Sequence, residues 1–118
     1  MANNQNNTTT SDKKYNGWTN YETWAVGLWN DNDQATYVYW REEATRHVRQ
    51  AAEDEMVERG IWTAQASARY NLAQQMKNEF TEAAPDLGSS VYSDLLNAAL
   101  DTVNWTELAE SLLSDIES

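Results

Sequence analysis

From Tyr21 to Ile116 the apolar residues of this chain return every three or four positions, and no stretch alternates apolar and polar side chains as a half-buried strand requires. That period confines the chain to helices. Tyr21, Trp24, Ala25 and Leu28 share one helical face, and Thr19-Asn20-Tyr21-Glu22 has the spacing of a capping box with Thr19 as N-cap. A first helix is predicted to run to about Asn30, with Trp18 packing on its first turn. The polar run Asn30-Asp31-Asn32-Asp33 then breaks it, because these side chains compete for backbone hydrogen bonds.

A second helix is predicted from Gln34 to Arg59, with Tyr37, Trp40, Ala44, His47, Val48 and Ala51 inward and Gly60 as its stop. A third runs from about Thr63 to Ala83, with Ala64, Ala68, Leu72, Met76 and Phe80 at a steady spacing of four. Pro85 and Gly88 enforce a loop. Ser89 or Ser90 caps a fourth helix to about Thr102, with Val91, Leu95, Leu96, Ala99 and Val103 expected inside. Asn104-Trp105-Thr106-Glu107 opens a last helix bearing Leu108, Ala109, Leu112, Leu113 and Ile116. The expected fold is all-α, a compact bundle of about five helices in one domain, residues 15–118. Residues 1–14 hold nothing apolar beyond Met1 and Ala2 and are expected to form a flexible, disordered polar tail.

Chemistry has little to work with. Cysteine is absent, which removes thiolate nucleophiles, disulfides and Cys-ligated metals. His47 is the lone histidine, sits on an apolar helix face and has no nucleophile elbow to serve. The four glycines form no phosphate cradle. Asp31 and Asp33 fall short of a calcium loop, since the fifth position is Ala35 and the glycine is missing. The acids lack the Glu-x-x-His pattern of di-iron bundles. No catalytic residue, cofactor or metal is expected, and the chain reads as a binding protein. The N-terminus has neither the basic nor the apolar region of a signal peptide, and no apolar run spans a bilayer, so a cytoplasmic location without membrane contact is expected.

Charge says more. Nineteen acids against eight bases give −11, and residues 78–118 hold nine acids and no Lys or Arg. Such a segment repels nucleic acid, whose binding rests on cations displacing counterions from phosphates, and it attracts basic partners. A solvated, solubilising surface accounts for the same acids. Aromatics crowd the other end: eight of the 26 residues from Tyr15 to Trp40 are Tyr or Trp. One helix cannot turn them all inward, so some are expected at the rim, where Trp and Tyr anchor interfaces. The remainder seal a small core.

The run Tyr15-Asn16-Gly17-Trp18-Thr19-Asn20-Tyr21-Glu22-Thr23-Trp24, with Leu95-Leu96-Asn97-Ala98-Ala99-Leu100 and Val103-Asn104-Trp105 further on, resembles the small "NGWTNYETW" proteins of bacteriophages and plasmids. The resemblance spans roughly residues 15–113 and brings no catalytic residue with it. It implies a mobile-element accessory role. Joined to the charge, it leads to an expected anti-CRISPR or anti-restriction activity. The acids would imitate phosphates and occupy the basic, nucleic-acid-binding surface of a host defence complex, without binding nucleic acid directly. The candidate contacts are Glu79, Glu82, Asp86, Asp94 and Asp101, with Trp18, Trp29 and Tyr39 at the aromatic end. The competing expectation is a protein-binding or regulatory module with no inhibitory role, including a homodimer joined by exposed aromatics.

Overall fold

A computed structural model describes residues 14–117, so the tail expected over residues 1–14 lies, except for Lys14, outside the described residues. Among the described residues six helices follow in order: α1 (Tyr21–Asn32), α2 (Gln34–Ala51), α3 (Glu55–Glu58), α4 (Ala64–Ala83), α5 (Val91–Thr102) and α6 (Trp105–Glu117). Among the described residues there is no strand, only an isolated bridge between Tyr15 and Trp18. The all-α expectation holds. The helix beyond the expected five is the single turn α3.

The core lies where α2, α4 and α6 pack on one another. Trp40, Ala44, His47 and Ala51 are buried along α2, as their spacing predicts, whereas Val48 is exposed. Ala68, Leu72, Ala73 and Met76 line α4, and Leu108, Ala109 and Leu113 line α6. The alanines let helix axes approach, and the large residues fill the spaces between them. At one end Trp40 stacks on Phe80, with ring centres 6.3 Å apart, and Phe80 meets Trp105 at 5.4 Å. The exposed Arg69–Glu110 pair across α4 and α6, at 3.6 Å, adds little; such pairs are worth about 0–1 kcal/mol.

The motif at residues 15–24 builds the entrance to α1. Asn16 (φ 48°) and Gly17 (φ 89°) are both left-handed, and Tyr15 and Trp18 exchange backbone hydrogen bonds at 2.9 and 2.8 Å across them. That is the Asn-Gly geometry of a type I′ turn. The turn lays Trp18 over Gly27, where an added Cβ would stand 3.2 Å from the indole and 3.5 Å from Leu108. Trp18 therefore packs on the second turn of α1, not the first.

The N-cap is shifted by one residue, and Glu22 is not seen to close the expected capping box. Asn20, not Thr19, is the N-cap, and its Oδ1 accepts the N–H of Thr23 at 2.9 Å. Thr19 lies too early to cap; its N–H goes to Glu107 at 3.1 Å. The inward face is also different. Thr23, Gly27 and Asn30 are buried, while Tyr21 and Leu28 are exposed. Gly27 favours this, because any side chain there would press on the Trp18 indole, 3.2 Å from an added Cβ. Tyr15, Tyr21 and Trp24 form an aromatic trio of their own, with ring centres 5.1–5.4 Å apart. The helix also runs through Asn32, so the break narrows to Asp33, which caps α2 by accepting the N–H of Thr36 at 3.2 Å.

The long second helix expected to Arg59 ends at Ala51. Asp54 stops it by capping α3, accepting the N–H of Met56 at 2.8 Å and the Ser67 hydroxyl of α4. Gly60 does terminate a helix, but it is α3. Its φ is 74°, Gly60 N–H bonds Val57 at 3.0 Å and Ile61 N–H bonds Met56 at 2.9 Å, the Schellman pattern. Thr63 and Ser90 cap α4 and α5.

Candidate binding surface

Helix α5 packs at the side of the bundle against α1, and none of its residues is fully buried. Val91 and Leu95, expected inside, are 61% and 63% exposed, and Tyr92 is 68% exposed. Leu96, Ala99 and Leu100 are half-buried. Two apolar faces share this helix. The period of 3.6 marks both as inward, and only the place of α5 at the edge of the bundle selects Leu96 and Leu100 over Val91 and Leu95.

The same helix carries two of the candidate acids. Asp94 lies in its first turn, where a carboxylate suits the helix dipole, and Asp101 in its last. They are seven positions apart and so share a flank. Asp86 sits in the preceding loop and accepts the N–H of Gly88 at 2.9 Å. Glu82 is exposed near the end of α4. Glu82, Asp86, Asp94 and Asp101 are all exposed, on the longest stretch of the sequence without a base.

Glu79 is placed differently. Its carboxylate receives the hydroxyl of Tyr39, 2.9 Å from either oxygen, and the amide of Gln75 at 2.8 Å. The Gln75 amide also donates to Glu43 at 2.7 Å. Its oxygen accepts from Arg46 at 2.9 Å and meets His47 Nε2 at 2.6 Å. An amide oxygen only accepts, so Nε2 of His47 carries a proton. Gln75 thus ties α4 to the Glu43, Arg46 and His47 side chains of α2. Burial and the neighbouring Glu79 raise the Tyr39 hydroxyl above its ordinary pKa. Hydrogen bonds from Arg46 and then Gln75 lower Glu43. Glu79 and Tyr39, named from sequence as separate contacts, meet in one network.

Of the remaining aromatic candidates, Trp18 is half-buried over Gly27, and Trp29 is 74% exposed near the end of α1. The bases gather elsewhere. Arg41, Arg46 and Arg49 all lie on α2, and Arg41 stands 5.4 Å over the ring of Tyr37. A groove of about 640 Å³ between α2 and α6 is lined in part by Arg41, Arg49, Tyr37 and Ile116. Cations thus cluster on α2 and are absent from α5, while Lys77 of α4 shares the lining of a surface depression with Asp101. Burial, and then the nearby Asp115, raise the Asp31 carboxyl from its ordinary pKa. Among the described residues no group of three or more His, Asp or Glu is arranged to hold a metal ion, and no helix is long and apolar enough to cross a membrane.

The surface combines what sequence reasoning singled out with what it missed. Of the five acids named from sequence, four are exposed here; the apolar stripe beside Asp94 and Asp101 was assigned to the core. A signal was present: counting Val91, Tyr92, Leu95, Leu96, Ala98, Ala99 and Leu100, α5 carries more apolar side chains than one face holds.

The family model described as Family of unknown function (DUF7249) matches residues 11–117, nearly the whole chain, and the chain belongs to that family. No curated protein and no solved structure matches it.

Proposed function

We propose that this family member is a non-catalytic binding module of the cytoplasm that takes a basic protein surface against its α4–α5 side. The observation that carries this reading is the exposure of Glu82, Asp86, Asp94 and Asp101 along a stretch of sequence that itself holds no Lys or Arg. Each charge is solvated and free to exchange water for a partner's cations, which speeds encounter and selects basic surfaces. The resemblance of residues 15–24 to phage and plasmid proteins supports one target class, the nucleic-acid-binding surface of a host defence complex. There the carboxylates stand in for phosphates, and occupation of the surface inhibits the complex.

The test is capture from a bacterial lysate at low and moderate salt, followed by inhibition of the captured nuclease. Reversal of all four acids to Lys is expected to abolish salt-sensitive capture and inhibition together. Unchanged capture by that variant overturns the reading.

The 74% exposure of Trp29 favours a second reading, a homodimer joined at the aromatic end. Light scattering separates the two: a dimer indifferent to salt and lost in Trp29→Ala supports the second.

A further inference from the structure

We infer that the outward stripe of α5 is the docking site for an amphipathic helix of the partner, one with basic residues along its edge; this rests on the acidic-surface reading above. At about 100° per residue, Val91, Leu95, Ala98 and Thr102 fall in one narrow sector of α5, with Tyr92 beside Leu95. Asp94 and Asp101 lie together along one flank of that sector. The half-buried Leu96 and Leu100 lie on the other side of the helix, toward the bundle. The result is a two-turn apolar ridge edged by carboxylates. Anchors at spacings of three and four match the ridge of another helix.

Charge selects the occupant. A second copy placed on the ridge would set Asp94 and Asp101 against their own equivalents, and α5 itself holds no Lys or Arg to offset the repulsion. Residues 1–13 offer nothing apolar beyond Met1 and Ala2 to match the ridge. A partner helix with an apolar face and flanking Lys or Arg satisfies both halves of the surface: it buries Val91, Tyr92 and Leu95 and pairs with Asp94 and Asp101.

The experiment titrates the full chain with three synthetic peptides of the length of α5: an amphipathic Leu/Lys helix, a scrambled isomer of identical charge, and a Leu/Glu counterpart. Calorimetry gives affinity, and backbone amide shifts give the location. The Leu/Lys helix is expected to bind with shifts centred on residues 91–98. The scrambled isomer is expected to bind about tenfold more weakly, or worse. Leu95→Ser is expected to cost a similar factor while helicity and Tm stay as in the parent.

Equal binding of the scrambled isomer, abolished by reversal of the four acids, overturns the docking ridge and leaves the acidic-surface reading standing. Failure of both Lys peptides overturns the two together. Equal binding of the Leu/Glu helix, or a dimer that Leu95→Ser dissolves, overturns the basic-edged occupant.

Discussion

The hydroxyl of Thr23 accepts the backbone N–H of Asn104 at 2.8 Å, joining two helix N-termini that lie 81 positions apart. It also donates to Asn20 Oδ1 at 2.6 Å, and Asn20 is the cap of α1. Asn104 in turn caps α6, accepting the N–H of Glu107 at 3.0 Å, while the Asn20 amide donates to the Thr102 carbonyl at 3.0 Å. Two local caps and one long-range contact therefore share the same few atoms. Thr23 is fully buried, so water cannot replace its bonds. Thr23→Val keeps the shape and removes both. It is expected to cost about 1–3 kcal/mol in urea unfolding, the range for leaving a buried donor unpaired. Thr23→Ser, which keeps the hydroxyl, is expected to cost less.

Gln75 is the second tie. Gln75→Leu withdraws the donor from Glu43 and Glu79 and the acceptor from His47. The expected loss is again about 1–3 kcal/mol, since the carboxylates and imidazole are left in a half-buried seam. Proton exchange at the α2–α4 interface is expected to speed while that of α6 changes less. An unchanged denaturant midpoint would show that water substitutes for the amide.

The core and α5 should respond oppositely to truncation. Leu72 is fully buried, and Leu72→Ala is expected to cost about 2–5 kcal/mol by loss of transfer energy and creation of a cavity. Leu95→Ser removes a comparable side chain from an exposed position and is expected to stay within about 0.5 kcal/mol. Thermal unfolding of the two variants side by side checks the assignment of the α5 face.

Acid stability follows from the carboxylates. Glu43 is lowered by Arg46 and Gln75, and Asp54 by the Ser67 hydroxyl and the N–H of Met56. A group whose pKa is depressed on folding contributes stability above its unfolded value, and that contribution disappears as pH falls through the folded one. Stability is therefore expected to decline below about pH 4, and Glu43→Gln should flatten that decline. Asp31 has the opposite sign. Its raised pKa penalises the ionised form in the folded state, so Asp31→Asn is expected to raise Tm at neutral pH and to lose that advantage on acidification. A Tm gain that persists at low pH would assign the effect to something other than charge.

By itself the sequence determined that the chain is helical, where most of its helices begin and end, and which faces of α2, α4 and α6 form the core. These properties are local. Trp40, Ala44, His47 and Ala51, or Ala68, Leu72 and Met76, repeat at the helical period, and Thr63, Ser90 and Asn104 carry the oxygens that helix starts require. Tertiary structure alone decided which face of α1 and of α5 turns inward. On α1 the bulky stripe at Tyr21, Trp24 and Leu28 yields to Thr23, Gly27 and Asn30, because Trp18 and Leu108 come from outside the helix to occupy the space over Gly27. On α5 two apolar faces compete, and a helix at the edge of a three-helix core can bury only one. The acids of the candidate surface were legible as charges. That Asp94 and Asp101 lie beside exposed Val91 and Leu95 came from the face that the bundle left uncovered.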